Sequence, residues 1–264
     1  MHIQIVLFDG FDPLDAIAPY EVLHAGGVAS RGAVSVELVS AEGPREVVSG
    51  TGGLALRATA ALDPERADLI LVPGASGRVG EPGEVPEEEA PGGERPPGAG
   101  RDGAGSLGAG PDGAGPGGAE ADGEVGAGSP REGELIPVLL ARTLGTPLPA
   151  LLKRAMDDPG VTVAAVCGGS LVLAMSGLLE GRHATTHHLG LDMLDATGAH
   201  AVAARVVDDG DLVTGAGVTS GLDLGLYLLE RAVGPRVAHA VEALFAHERR
   251  GTVWRNQGPA PAAA

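Results

Sequence analysis

Four short apolar runs alternate with helix-like patterns along the chain, and this alternation restricts the fold more than any other feature. The runs are almost continuous in Val, Ile, Leu and Ala, as is typical of strands that are buried on both faces of a parallel sheet. Strands that alternate with helices in this way predict an α/β fold, a three-layer sandwich with a mainly parallel sheet. The four runs are 3–8, 34–39, 69–72 and 161–166.

Helix and hairpin signals fill the intervals between these runs. Pro13 stands near the start of a predicted helix that stops at Gly26 and Gly27, where two glycines end the apolar spacing. Helical patches interrupted by prolines are expected between 135 and 156. Further predictions are an antiparallel pair at 47–48 and 54–56, a helix at 171–179, a hairpin of 202–207 with 212–214, and helices at 221–232 and 235–249.

The segment 77–134 has a different composition from the rest of the chain. Its 58 residues include 19 glycines, 8 prolines, 13 acids and 4 arginines, and so carry nine of the seventeen net negative charges. Such a segment cannot bury enough apolar surface to offset its chain entropy. We therefore predict a single domain over 1–250 that is interrupted by a disordered insertion at 77–134. A flexible tail is predicted at 251–264.

Charge and cysteine content exclude several classes of protein. A net charge of -17 repels phosphate backbones, which argues against nucleic acid as a partner. The first residues lack the basic region of a secretory signal, and no run of eighteen apolar residues predicts a membrane span. The single cysteine excludes an intramolecular disulfide, and a cytoplasmic location is the simplest expectation.

That cysteine, Cys167, directly follows the fourth apolar run and precedes Gly168, Gly169 and Ser170. A sharp turn from strand to helix that is built of small residues resembles a nucleophile elbow. Because the amides of the next residues would form the start of a helix, we expect them to lower the pKa of the thiol and to be able to hold an anion. A buried cysteine that only fills space is the alternative, and the elbow context disfavours it.

Other candidates for this site follow strand ends, because ligands of open α/β sheets bind at the carboxyl edge. Asp15 comes after the first strand and Gly74 after the third apolar run. On position alone, Asp15 is equally explained as a carboxylate at a helix start. His187, in the sequence Thr-Thr-His-His, is by default a surface or helix-start residue and is a secondary candidate.

Three further motifs do not predict sites. Asp9 and Asp12 have no His or Cys spaced beside them, so they are interpreted as solvated turn residues. The acids 208, 209 and 211 lack the spacing of a calcium loop and instead suggest a hairpin turn. The sequence 215–217, Gly-Ala-Gly, lacks the third glycine of a dinucleotide fingerprint. No metal site is predicted.

With Cys167 on its elbow, the sequence resembles the DJ-1/PfpI superfamily, and within it the isonitrile hydratase-like branch. Five segments carry the resemblance, and they follow the order found in the family. They are LDAIAPYEVL at 14–23, LVPG at 71–74, AVCGGSLVL at 165–173, GLLEGRHATTH at 177–187 and TGAGVTSGLD at 214–223.

The resemblance implies a flavodoxin-like fold, commonly as a homodimer, with Cys167 as the nucleophile and Asp15 in contact with it. An aspartate at that position is similar to the isonitrile hydratases, whereas the deglycase and protease branches have a glutamate. The protease branch also places a His after its cysteine, where this chain has Gly168. Gly168 likewise stands where the hydratases have a Thr, and His187 approaches the cysteine in some branches.

The function that this resemblance favours is the hydration of an isonitrile to an N-substituted formamide. Cys167 would attack the isonitrile carbon, Asp15 would transfer protons, and the amides around Gly74, Gly168 and Gly169 would bind the small-molecule substrate. No cofactor is expected. One alternative is a glyoxalase or deglycase that acts on reactive dicarbonyls with the help of His187. The other is a sensor domain that binds a ligand or responds to oxidants without turnover.

Overall fold

The computed structural model describes residues 1–80 and 133–259, and these ranges form an eight-stranded sheet with flanking helices. Its elements are numbered in chain order. The strands are β1 (His2–Leu7), β2 (Ser35–Ser40), β3 (Arg45–Val48), β4 (Ala55–Ala58), β5 (Ala60–Ala61), β6 (Leu69–Val72), β7 (Thr162–Val166), β8 (His183–Ala184), β9 (His200–Ala201), β10 (Val206–Asp208), β11 (Leu212–Gly215) and β12 (Trp254–Arg255). The helices are α1 (Pro13–Ala29), α2 (Ile136–Arg142), α3 (Leu148–Asp157), α4 (Gly169–Met175), α5 (Leu191–Ala196), α6 (Ser220–Val233) and α7 (Pro235–Leu244).

The order of strands in the main sheet is β12-β10-β11-β7-β6-β1-β2-β5. Strands β5, β2, β1, β6, β7 and β11 are parallel to one another, whereas β10 is antiparallel to β11. Two-stranded ribbons, β3 with β4 and β8 with β9, lie outside this sheet. The mainly parallel α/β sandwich that the sequence predicts is therefore confirmed.

The apolar runs form the centre of the sheet. Every residue of β6 is buried, as are the last four residues of β7, because helices cover both strands. On the helical layers, α1 packs against α6 and α7, and α2 packs against α4. The carboxyl ends of β1, β6 and β7 consequently meet at one edge of the sheet, where the candidate residues lie.

Helix α1 runs through Gly26 and Gly27 to Ala29, beyond the predicted stop at the two glycines. Two other helix limits also differ from the sequence pattern. The predicted helix at 171–179 is α4, which begins at Gly169 and ends at Met175. It ends early because Gly177 has a left-handed backbone with φ of 72°. The predicted helix at 235–249 ends at Leu244 in α7, and Ala246 beyond it has φ of 48°. Local backbone turns, which the apolar spacing does not report, set both ends.

Both borders of the predicted insertion lie side by side. The Arg78 amide donates to the Glu134 carbonyl at 2.8 Å, and the Ile136 amide donates to the Arg78 carbonyl at 3.1 Å. Strands from before and after this segment pair directly, since β6 is the neighbour of β7. Residues 81–132 of the predicted insertion and 260–264 of the predicted tail lie outside the described residues. The division into one domain stays a prediction.

In the described ranges, none of the helices combines the length and the apolar character that a bilayer crossing requires.

Candidate functional site

Cys167 occupies a strained turn between β7 and α4. Its φ of 54° falls in the left-handed region, which residues with a Cβ seldom adopt. The strand holds its amide, which donates to the Gly215 carbonyl of β11 at 3.0 Å. Its side chain is buried, with the residue 8% exposed. The predicted turn from strand to helix is present, and strain at a cysteine in this position fits a reactive side chain.

Glycines allow two loops to approach each other closely at this turn. A Cβ at Gly169 would lie 2.1 Å from the Val72 carbonyl oxygen. A Cβ at Gly74 would lie 2.6 Å from the Gly168 amide nitrogen and 2.7 Å from Oδ2 of Asp15. A side chain at either position would therefore push apart the loops after β6 and β7. At Gly168 itself, a Cβ would come within 3.2 Å of a methyl carbon of Leu140, which is buried.

Asp15 lies in the first turn of α1 and is completely buried. The Gly74 amide donates to its Oδ2 at 2.9 Å. The other oxygen, Oδ1, has no hydrogen-bonding partner among the described residues. The Cys167 side chain lies close enough for the two groups to influence each other's pKa. The structure thus brings together three of the predicted residues, Asp15, Gly74 and Cys167.

The pKa of the Cys167 thiol differs from the one that the sequence predicts. Burial raises the pKa of the Cys167 thiol, the nearby Asp15 charge raises it further, and the Gly168 amide opposes them only in part. The prediction that the helix start lowers the pKa is therefore wrong, because desolvation outweighs the amides. Burial also raises the pKa of Asp15 well above its usual range, and the charge of Asp12 adds to this effect.

His187 lies beside the site without bonding to Cys167 in the described structure. It precedes a short 3₁₀ helix, His188–Gly190, and its Nδ1 accepts from the Leu189 amide at 3.3 Å. Its ring contacts that of His188 with 4.2 Å between centroids, and it also faces Gly217. Burial lowers its pKa below 6.5, and His188 lowers it further. The lowered pKa favours the neutral ring near pH 7, and in that form Nδ1 accepts from Leu189 while Nε2 can donate.

Two residues that sequence reasoning did not single out also touch the elbow. Thr186 donates from Oγ1 to the Cys167 carbonyl at 2.6 Å. Leu140, from α2, packs over Gly168. No local signal marks either residue, because the first contact spans nineteen positions and the second spans twenty-eight.

The acidic turns have structural partners. Asp12 caps α1 by accepting from the Leu14 amide at 2.9 Å, and Asp9 pairs with Arg45 at 3.0 Å. In the predicted hairpin turn, Asp209 pairs with Arg182 at 2.6 Å. Among the described residues, no group of three or more His, Cys, Asp or Glu side chains is arranged to hold a metal ion.

Comparisons with known proteins agree with this geometry. Residues 141–231 match the model of the DJ-1/PfpI family. An isonitrile hydratase of Pseudomonas putida is 49% identical over 80 residues, which cover 30% of this chain and 35% of the relative. The HTH-type transcriptional regulator CdhR of Pseudomonas aeruginosa is 36% identical over 120 residues, covering 44% and 36%. The chain spans about a third of the length of these curated relatives.

The fold likeness extends further along the chain than the sequence matches. Drosophila melanogaster DJ-1beta superposes with a TM-score of 0.63, covering 94% of this chain and 98% of that structure, at 15% identity. It has the same fold even though few residues are shared. The matched family region contains β7, the Cys167 elbow and β11, around which the site is built. Over residues 141–231 the chain is similar to the DJ-1/PfpI family, and its fold is that of the solved DJ-1 structure.

Proposed function

We propose that the chain hydrates isonitriles to N-substituted formamides, with Cys167 as nucleophile and Asp15 as proton carrier. One observation carries the proposal: a completely buried carboxyl group with a raised pKa lies beside the sulfur of a strained cysteine. A carboxyl group of raised pKa is a stronger base than an ordinary aspartate, and it stays protonated to higher pH, so it can act first as a base and then as an acid. The partial match to an isonitrile hydratase supports the choice of substrate.

The first step joins the sulfur to the isonitrile carbon. The Cys167 thiol transfers its proton to the Asp15 carboxylate as the sulfur attacks the terminal carbon. Asp15 then delivers this proton to the same carbon. The product is a thioimidate, in which the former isonitrile carbon bears sulfur, hydrogen and a double bond to nitrogen. The resting thiol has a raised pKa and so keeps its proton. It therefore passes the proton to Asp15 during the attack and does not react as a preformed thiolate.

Water completes the reaction in the second step. Asp15 takes a proton from water as the water oxygen attacks the thioimidate carbon, and it passes this proton to the nitrogen. The carbon–sulfur bond then breaks, the hydroxyl proton of the tetrahedral adduct passes to the sulfur, and the formamide leaves. Water and isonitrile are the only compounds consumed, so the atoms balance without a cofactor.

Backbone amides of the site would orient the adduct. We assign this role to Gly74 and Gly168, whose backbones lie against Asp15 and Cys167, with Gly169 supporting the turn. His187 would donate a hydrogen bond from Nε2 at the rim. A small substrate suits this arrangement, because Cys167 is largely buried.

Substrate consumption by the purified chain and by Cys167→Ser tests the proposal. Cyclohexyl isonitrile and methylglyoxal are supplied separately, and products are followed by proton NMR. We expect N-cyclohexylformamide from the unaltered protein and none above background from the variant. Cysteine-dependent loss of methylglyoxal, with the isonitrile untouched, would replace the proposal with a dicarbonyl-directed activity.

A sensor role is the second candidate, and the match to a transcriptional regulator favours it. In that case Cys167 would bind a ligand or react with oxidants without turnover. The same assays separate the two roles: no product from either substrate, together with rapid oxidation of Cys167 by peroxide, would favour the sensor.

We also propose that the chain acts as a homodimer in the cytoplasm. On α1, Leu14 is 45% exposed and Val28 is 71% exposed, and Leu244, the last residue of α7, is 74% exposed. Apolar surface left open on these two helices is where a second subunit would bind under this proposal. Sedimentation equilibrium is expected to give twice the chain mass of 26.2 kDa, and a monomer would contradict this assignment.

A further inference from the structure

The segment before His187 binds the backbone of Cys167, although this segment belongs to neither β7 nor α4. Thr185 and Thr186 are both 1% exposed. The Thr186 hydroxyl donates to the Cys167 carbonyl at 2.6 Å, a short bond between buried groups. A buried carbonyl that loses its donor is unfavourable, so this contact constrains the backbone at the cysteine.

The same segment is anchored to elements on both sides of the elbow. Ser170, in the first turn of α4, donates from its hydroxyl to the Thr185 carbonyl at 2.6 Å. The Thr185 amide donates to Oγ1 of Thr214 in β11 at 2.8 Å. These bonds fix the position of Thr186 relative to β11 and α4, the same elements that hold Cys167. The Thr186 hydroxyl is therefore a rigid support and not a free surface group.

We propose that Thr186 is a positioning residue for the nucleophile. Its hydroxyl stabilises the left-handed backbone of Cys167, with φ of 54°, and so keeps the sulfur beside Asp15 in the buried site. A cysteine released from this bond relaxes toward negative φ, which is favoured for residues with a Cβ. The sulfur then leaves the carboxyl group. The expected effect of Thr186 on turnover rests on the proposed function, whereas its expected effect on the thiol does not.

Alkylation of Cys167 by iodoacetamide as a function of pH tests this role, and the signal is unambiguous because the chain has one cysteine. Thr186→Val keeps the shape and removes the donor, whereas Thr186→Ser keeps the hydroxyl. In Thr186→Val the thiol should titrate at a lower pH than in the unaltered protein, since burial and the Asp15 charge no longer act on it fully. Isonitrile turnover should fall about tenfold. Thr186→Ser should restore both properties.

Thr197→Val is the matched control. Its hydroxyl makes a bond of the same length, 2.6 Å, to the Leu194 carbonyl at the end of α5. This variant should lose stability without moving the alkylation profile. If Thr186→Val does not fold, Ser170→Ala loosens the same segment and should shift the profile in the same direction by a smaller amount.

The alkylation profile also separates this inference from the proposed function. Profiles of Thr186→Val, or of Ser170→Ala where that variant is needed, that superimpose on the profile of the unaltered protein would overturn the positioning role. Absence of isonitrile hydration by the unaltered protein would overturn only the proposed function, because alkylation requires no isonitrile.

Discussion

Oδ2 of Asp15 accepts a 2.9 Å hydrogen bond from the Gly74 amide, which links the start of α1 to the loop after β6. The same glycine faces the Gly168 backbone, so that a Cβ on residue 74 would lie within 2.7 Å of both neighbours. One close approach of backbone therefore fixes the Asp15 carboxyl group, the loop after β6 and the turn at Cys167. This arrangement makes the absence of a side chain at Gly74 a condition for the site.

Gly74→Ala should destabilise the protein and misplace Asp15. The added methyl group meets backbone and a buried carboxyl, neither of which can retreat easily, and overpacking of this kind costs about 2 kcal/mol. Urea unfolding measures the loss of stability, and isonitrile turnover should fall as well. Gly145→Ala is the control, because nothing lies within 4 Å of its Cβ position. Equal stability of the two variants would contradict the packing described.

Asp15→Asn should change how stability depends on pH. Burial raises the folded-state pKa of Asp15 above its usual 3.8, so its contribution to stability is present at low pH. That contribution is lost as pH rises through the folded-state pKa. Asparagine does not ionise, and the stability of the variant relative to the unaltered protein should therefore increase as pH rises above about 4.

Urea unfolding at a series of pH values measures this difference. Asp157→Asn is the control, since Asp157 is exposed and pairs with Lys153 on the helix surface. A difference between Asp15→Asn and the unaltered protein that stays constant with pH, or decreases, would show that the Asp15 pKa is not raised.

His187→Gln should leave the shape of the pH profile for turnover unchanged between about pH 6 and 8. Burial and His188 lower the pKa of His187 below 6.5, so the ring is already neutral over most of this range. Glutamine keeps a donor, and turnover should stay within about tenfold of the original rate. His188→Gln serves as the neighbouring control. Loss of an ionisation from the profile would instead make His187 the proton carrier.

Asp223→Ala should destabilise the protein without altering the chemistry of Cys167. Its carboxyl group is 3% exposed and binds Arg205 at 2.6 Å and the Arg250 amide at 2.8 Å. Removing the carboxyl group leaves the partly buried Arg205 guanidinium with its hydrogen bonds to Thr219 and no balancing charge from Asp223, which costs about 3 kcal/mol. Glu65→Ala, which removes the exposed partner of Arg154, should cost less than about 1 kcal/mol. Chemical denaturation of both variants provides the comparison.

The sequence predicts the parts of the site that follow buried strands. The apolar run before Cys167 and the small residues after it predict both the strand and its sharp turn, and the carboxyl-edge rule brings Asp15 and Gly74 to the same place. These predictions succeed because each depends on a buried strand and on the residues that come soon after its end. The family resemblance predicts that His187 lies near this edge. It does not predict that His187 makes no hydrogen bond to Cys167 in the described structure.

Properties that depend on burial and long-range contacts could not be read in this way. The pKa of the Cys167 thiol rises because its surroundings exclude water, whereas the local sequence shows only the favourable amides. Thr186 reaches Cys167 through a turn that no periodicity reports. Short strands such as β8, β9 and β12 have two residues each, too few for an apolar pattern.

Mass spectrometry of the protein quenched during turnover tests the central claim most directly. With cyclohexyl isonitrile, the peptide that contains Cys167 is predicted to gain the mass of one isonitrile molecule, the thioimidate, and the Cys167→Ser protein is predicted to gain none. Formamide production at an undiminished rate by Cys167→Ser, with no mass gain on the cysteine peptide of the unaltered protein, would contradict it.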